Sequence, residues 1–154
     1  MTYALGRTAD ELTVGDRASV TKVVSETDIY LYVGMTGDLN PLYIDEGFAA
    51  AHRYHGRVAP GALITGLVIA VISTKLPGPG TILEREDLHF TAPVRPGDTV
   101  TAFAEVVEVI PSRGRARLST VCKNQDGVVV LEGEVVVLPP QRVHPARVGQ
   151  RGRT

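Results

Sequence analysis

The segment from Gly61 to Lys75, GALITGLVIAVISTK, sets the tightest limit on what this chain can fold into. It is apolar on nearly every side, as a helix buried over most of its surface must be. Periodicity alone does not separate such a helix from a buried strand. Its length, with Pro60 before it and Leu76-Pro77-Gly78 after it, predicts a helix of about 22 Å. A helix of that kind needs other elements wrapped around it.

The rest of the chain offers one partner on the N-terminal side and four on the C-terminal side. Arg17 to Ser25 reads as a strand rich in β-branched residues. Ser25 then has the character of an N-cap, with Glu26 and Asp28 in the first turn of a helix that carries Ile29, Tyr32, Val33 and Met35 and ends at Thr36-Gly37. Asp38-Leu39-Asn40-Pro41 is a turn by composition, and Asp45 is placed to cap a short helix reaching His52. After Gly80, the segments 81–90, 99–110, 116–123 and 128–138 read as strands, separated by Pro96-Gly97-Asp98, Ser112-Arg113-Gly114 and Gln125-Asp126-Gly127. One strand, then helices including a long apolar one, then an antiparallel meander is an α+β order. A curved antiparallel sheet wrapped around one long central helix, the hot-dog fold, satisfies it with short connections.

Residues 1–138 form one expected domain. The segment 139–154 has four arginines, three prolines and no acidic residue, and reads as a basic, flexible tail. The whole chain has a net charge of −1, without the concentrated basic face of a nucleic-acid binder. Cys122, the single cysteine, has no internal disulfide partner and reads as a buried, inert thiol. The four histidines are scattered without metal-ligand spacing, so no metal or other cofactor is expected. The N-terminal residues lack the apolar core of a secretory signal, and the longest apolar run falls short of the roughly 20 residues that span a bilayer. The expected setting is cytoplasmic, with no membrane partner.

Gly37, Asp38, Asn40, Pro41 and Leu42 stand in the order G-D-x-N-P-[LIV], with Ala49 in the place of a small residue further on. This resembles the hydratase signature of the MaoC-like family, which includes (R)-specific enoyl-CoA hydratases. Arg57-Val58-Ala59-Pro60-Gly61 before the apolar helix, Leu76 to Gly80 after it, and Pro93 to Asp98 are similar to the family's next landmarks. The resemblance covers roughly residues 10 to 138. It implies a homodimer with sites near the subunit interface. The reaction implied is addition of water across the double bond of a trans-2-enoyl-CoA, or the reverse dehydration. CoA and acyl carrier protein both remain open as the thioester carrier.

Hydration needs a base for water, a proton for the α-carbon and a fixed donor for the thioester oxygen as it becomes enolate-like. A carboxylate in a water-poor pocket is a usable base. Asp38 is the candidate, with Asn40 holding water or the carboxylate. The backbone N–H of Gly61, the first available after Pro60 at the helix start, is the candidate oxyanion donor, with tight packing as the competing reason for glycine there. Pro41, Pro60, Arg57 and Thr65 stand as substrate-binding candidates, although Arg57 suits a surface ion pair equally well. His52, His55 and His89 carry no catalytic expectation.

The chain departs from the family at Tyr43, where the resemblance puts a catalytic His; phenol, with a pKa near 10, is a poor base at neutral pH. Pro60 replaces a His common in relatives. A helix Ser of some relatives aligns with Ile69, and Thr65 one turn earlier is the nearest hydroxyl. Three readings of the site follow: Tyr43 substitutes for His, Asp38 works alone, or the site is catalytically dead. Three functions follow: a hydratase or dehydratase, a non-catalytic acyl-binding subunit of a heteromeric enzyme, or an acyl-CoA thioesterase.

Overall fold

The computed structural model describes residues 3–142 of the 154. Its first strand, β1 (Arg17–Val23), is followed by helix α1 (Glu26–Thr36), two short helices α2 (Pro41–Ile44) and α3 (Glu46–Ala50), and the central helix α4 (Gly61–Thr74). Four strands complete the chain: β2 (Ile82–Phe90), β3 (Thr99–Ile110), β4 (Arg115–Lys123) and β5 (Val129–Leu138). They form one antiparallel sheet in the order β1-β3-β4-β5-β2, so β1 and β2 are its edges. The fold is the expected α+β hot-dog arrangement, with α4 packed on the sheet.

Alternation explains how the sheet receives the helix. Side chains of a strand point to opposite faces in turn. Val100, Ala102, Ala104 and Val106 of β3, and Ala116, Leu118, Thr120 and Cys122 of β4, are therefore buried on one face. Alanines at 102 and 104 keep that face shallow, which lets α4 lie close. Register shifts at Val106/Glu108 and Leu83/Arg85 add local bending to the strands. Cys122 is fully enclosed, and burial pushes its thiol pKa up to about 12, in keeping with an inert core residue.

The central helix differs from expectation on one side. Ile64, Leu67, Val68, Val71 and Ile72 are buried against the sheet, but Ala62, Gly66 and Ile69 are exposed. Within one chain the sheet covers one side of a helix and leaves the opposite stripe bare. Met35, placed by spacing with the apolar residues of α1, is also exposed, whereas Ile29 and Val33 are buried. β1 ends two residues earlier than expected, because Val24 leaves the ladder to exchange hydrogen bonds with the turn at Gly97 and Asp98. The segment expected to be a tail begins with docked residues: Pro139 and Pro140 are buried and Arg142 pairs with Glu11. Residues 143–154 lie outside the described part.

The start of α1 is fastened by a reciprocal cap. Ser25 Oγ accepts from Asp28 N at 3.2 Å, and the Asp28 carboxylate accepts from Ser25 N at 2.8 Å. That backbone bond, aided by the Ser25 hydroxyl and Lys22, holds the Asp28 carboxyl below its ordinary pKa of 3.8. A depressed acid stabilises the fold above its unfolded pKa, and that contribution is lost as pH falls through the folded value. Asp28→Asn is therefore expected to cost about 1 kcal/mol near neutral pH. In urea titrations at several pH values, the gap from wild type should close as the pH falls through the acid range below 3.8.

Candidate active site

The loop after α1 is shaped by its own last turn. Gly37 takes the left-handed conformation (φ 74°) that ends the helix, and its N–H returns to Val33 O at 2.9 Å. The Thr36 hydroxyl donates to Tyr32 O at 2.8 Å and accepts from Asp38 N at 3.2 Å. The Tyr32 hydroxyl reaches over the same turn and donates to Asp38 Oδ2 at 3.3 Å. The half-buried Asp38 is thus held at both its backbone and its carboxylate by α1.

What composition marked as a turn continues directly into α2. Asn40 caps that helix, its Oδ1 accepting from Leu42 N at 3.1 Å, and Pro41 occupies the first position, where its missing N–H costs nothing. Asn40 therefore spends its oxygen on the backbone. Its side chain also acts on the Tyr43 hydroxyl and favours the phenol's ionised form, so this one residue both caps α2 and tunes the tyrosine beside it. Asp45 caps α3 through Phe48 N at 2.8 Å, as expected.

Tyr43 and Gly61 line one cavity of about 510 Å³, together with Leu42, Ile64, Phe90 and Val94. Burial raises the Tyr43 pKa above 10, the Asp38 charge and then Tyr32 raise it further, and the Asn40 side chain opposes them. Tyr43 consequently keeps its proton at every working pH. It is a hydrogen-bond donor and a poor base. Gly61 opens α4 behind the buried Pro60, and the first N–H groups of a helix have no intrahelical acceptor. A Cβ on Gly61 would lie 3.0 Å from the Phe90 ring, so the glycine also admits that ring to the cavity wall. Both readings of Gly61, donor and packing, have a physical basis here.

Arg57 is engaged in structure. Its two terminal nitrogens grip the Glu26 carboxylate at 2.9 and 2.7 Å, and Nε donates to Tyr43 O at 2.8 Å. The ion-pair alternative describes these contacts, and through them α1 is tied to the backbone of Tyr43. Pro41 and Thr65 are half-buried and do not line the cavity. Sequence reasoning missed Tyr32 and Phe90 as members of the site. Tyr32 had one usable signal, its place in the final turns of a helix ending directly before Asp38. Phe90 had none, since it arrives from a distant strand.

Among the described residues no cluster of three or more His, Cys, Asp or Glu could hold a metal ion, and no helix is long and apolar enough to cross a membrane.

These features define a class: a hot-dog domain in which the short helix after the acid-bearing loop shares a cavity with the start of the central helix. The chain belongs to the MaoC-like family, since the family described as "MaoC like domain" matches residues 10–127. It is 41% identical over 133 residues to an (R)-specific enoyl-CoA hydratase of Rhodospirillum rubrum, covering 86% of this chain and 92% of the relative. Identity is 42% to a 3-hydroxybutyryl-CoA dehydratase of Methylorubrum extorquens, covering 86% and 84%. An R-hydratase from Pseudomonas aeruginosa in the unliganded form superposes with a TM-score of 0.83 at 36% identity, covering 97% of each chain.

Proposed function

We propose that this protein is an (R)-specific hydro-lyase that adds water to trans-2-enoyl thioesters or removes it from 3-hydroxyacyl thioesters. The observation that carries the reading is the meeting of Tyr43 and the α4 N-terminus at one cavity of mixed polar and apolar lining, with the Asp38 charge acting on Tyr43. Two relatives named as enoyl-CoA hydratase and 3-hydroxybutyryl-CoA dehydratase, each matched over most of its length, support the same chemistry.

In this mechanism Asp38 takes a proton from water, and the resulting hydroxide forms the bond to the β-carbon. The electron pair of the double bond moves toward the thioester carbonyl, whose oxygen becomes enolate-like and is met by the Gly61 N–H. Protonated Asp38 then returns that proton to the α-carbon, which restores its carboxylate, so one water is consumed. Tyr43, locked in its protonated form, serves as a donor that orients water or the developing oxyanion. Asp38 is the base. The family's His position is thus filled by a residue that keeps the donor function and gives up the acceptor. Acyl-CoA is the substrate we favour. A homodimer is the assembly we favour, supported by the unpaired β2 edge with Ile82 and Phe90 exposed on it.

The test follows the enoyl-thioester absorbance of crotonyl-CoA and a longer homologue with purified protein alone. Loss of the chromophore without release of free thiol is expected; thiol release would instead mark a thioesterase. Binding without turnover would mark an acyl-binding subunit. In the same assay Tyr43→Phe is expected to lower kcat about 30-fold while leaving KM within about threefold. Full activity in Tyr43→Phe would remove the phenol from the mechanism.

A further inference from the structure

The contacts around Asp38 form a closed ring that the chemistry above does not require. Starting from Tyr32 O, it runs through the Thr36 hydroxyl to Asp38 N, and from the Asp38 carboxylate back to the Tyr32 hydroxyl. All of it is built from seven consecutive residues at the end of α1. The Tyr32 ring meanwhile forms part of a second, apolar groove of about 390 Å³, with Leu31, Met35, Leu63 and Leu67. Tyr32 therefore has its ring in one cavity's wall and its hydroxyl on the acid of the other site.

We propose that Tyr32 is a positioning residue for Asp38, donating its hydroxyl to Oδ2 so that the remaining oxygen, Oδ1, is the one that accepts the proton of water. The inference rests on the hydratase reading and adds to it the choice of carboxylate oxygen and the group that enforces it. A carboxylate with both oxygens free rotates about its χ2 bond, and an acid–base step depends on the time it spends correctly aimed. Fixing one oxygen from the helix removes that freedom. At 3.3 Å the bond is longer than a strong O–H···O contact, and bonds of this kind tighten when substrate binds. Tyr32 is also close enough to Tyr43 to add to the rise in its pKa, so both phenols and the carboxylate form one electrostatic group.

Tyr32→Phe and Tyr32→Leu separate the two possible roles. Tyr32→Phe keeps the ring in the groove and removes only the donor, so the fold and its unfolding midpoint should be unchanged. With crotonyl-CoA it is expected to lower kcat about tenfold with KM within about twofold. Tyr32→Leu should lose the same tenfold in kcat and in addition raise KM. A Tyr32→Phe enzyme with wild-type kcat, beside an impaired Tyr32→Leu, would show the residue to be groove packing only and overturn the proposal. If wild type is active and Asp38→Asn is not, that result leaves the hydratase reading standing. Absence of turnover in wild type would bring down both.

Discussion

Asp38→Asn is expected to lower kcat for enoyl-thioester hydration by about 10³-fold or more while leaving the fold intact. The substitution is close to isosteric. An amide oxygen can still accept from Tyr32, the Asp38 N–H still reaches Thr36 Oγ1, and the left-handed Gly37 that sets the turn is untouched. No ion pair is lost, because none of the salt bridges among the described residues involves Asp38. What disappears is the capacity to take a proton. Its polar neighbours Tyr43 and Asn40 offer no replacement: Tyr43 holds its proton and Asn40 is an amide. The measurement is the crotonyl-CoA absorbance assay, with circular dichroism as the check on folding. A variant that keeps a tenth or more of wild-type activity would sink the assignment of Asp38 as the base.

Gly133→Ala carries the largest expected cost in stability, about 3–4 kcal/mol. Gly133 lies in β5 between Leu88 of β2 and Thr120 of β4, with φ at +152°. A Cβ built there falls 2.1 Å from Asp87 O and 2.9 Å from Leu88 Cα. Both obstacles are backbone, so no side-chain rotation relieves them; β2 must move away from β5. β2 is an edge strand held only by β5, and it delivers Phe90 to the cavity beside Gly61. The variant should therefore lose catalytic efficiency as well as stability. Equilibrium urea unfolding would read the change directly, and a midpoint equal to wild type would mean that the strands accept the methyl group.

Much of the site was legible because its signals are local. Gly37 ends a helix and Asp45 starts another, each a backbone rule written in one or two residues, whereas Asn40-Pro41 read only as a turn and its start of α2 emerged in the structure. The loop from Gly37 to Tyr43 was therefore readable as a unit, and the resemblance supplied its chemistry. Arg57 was less readable. Its guanidinium suits a phosphate or a carboxylate equally, and only the position of Glu26, 31 residues away, decides between them. Phe90 was not readable as a site residue. It sits at the end of an edge strand, where the second layer that would bury it is absent from the chain itself.

By itself the sequence determined the order of the main elements, the ends of α1 and α4 and the residues of the acid-bearing loop, because periodicity, capping and turn chemistry depend on near neighbours. Tertiary structure alone decided which groups meet. It brought Tyr43 to the start of α4, placed Phe90 against Gly61, and left one stripe of the central helix uncovered. It also raised the pKa of Tyr43, since burial and the field of Asp38 arise from packing and have no counterpart in an extended chain.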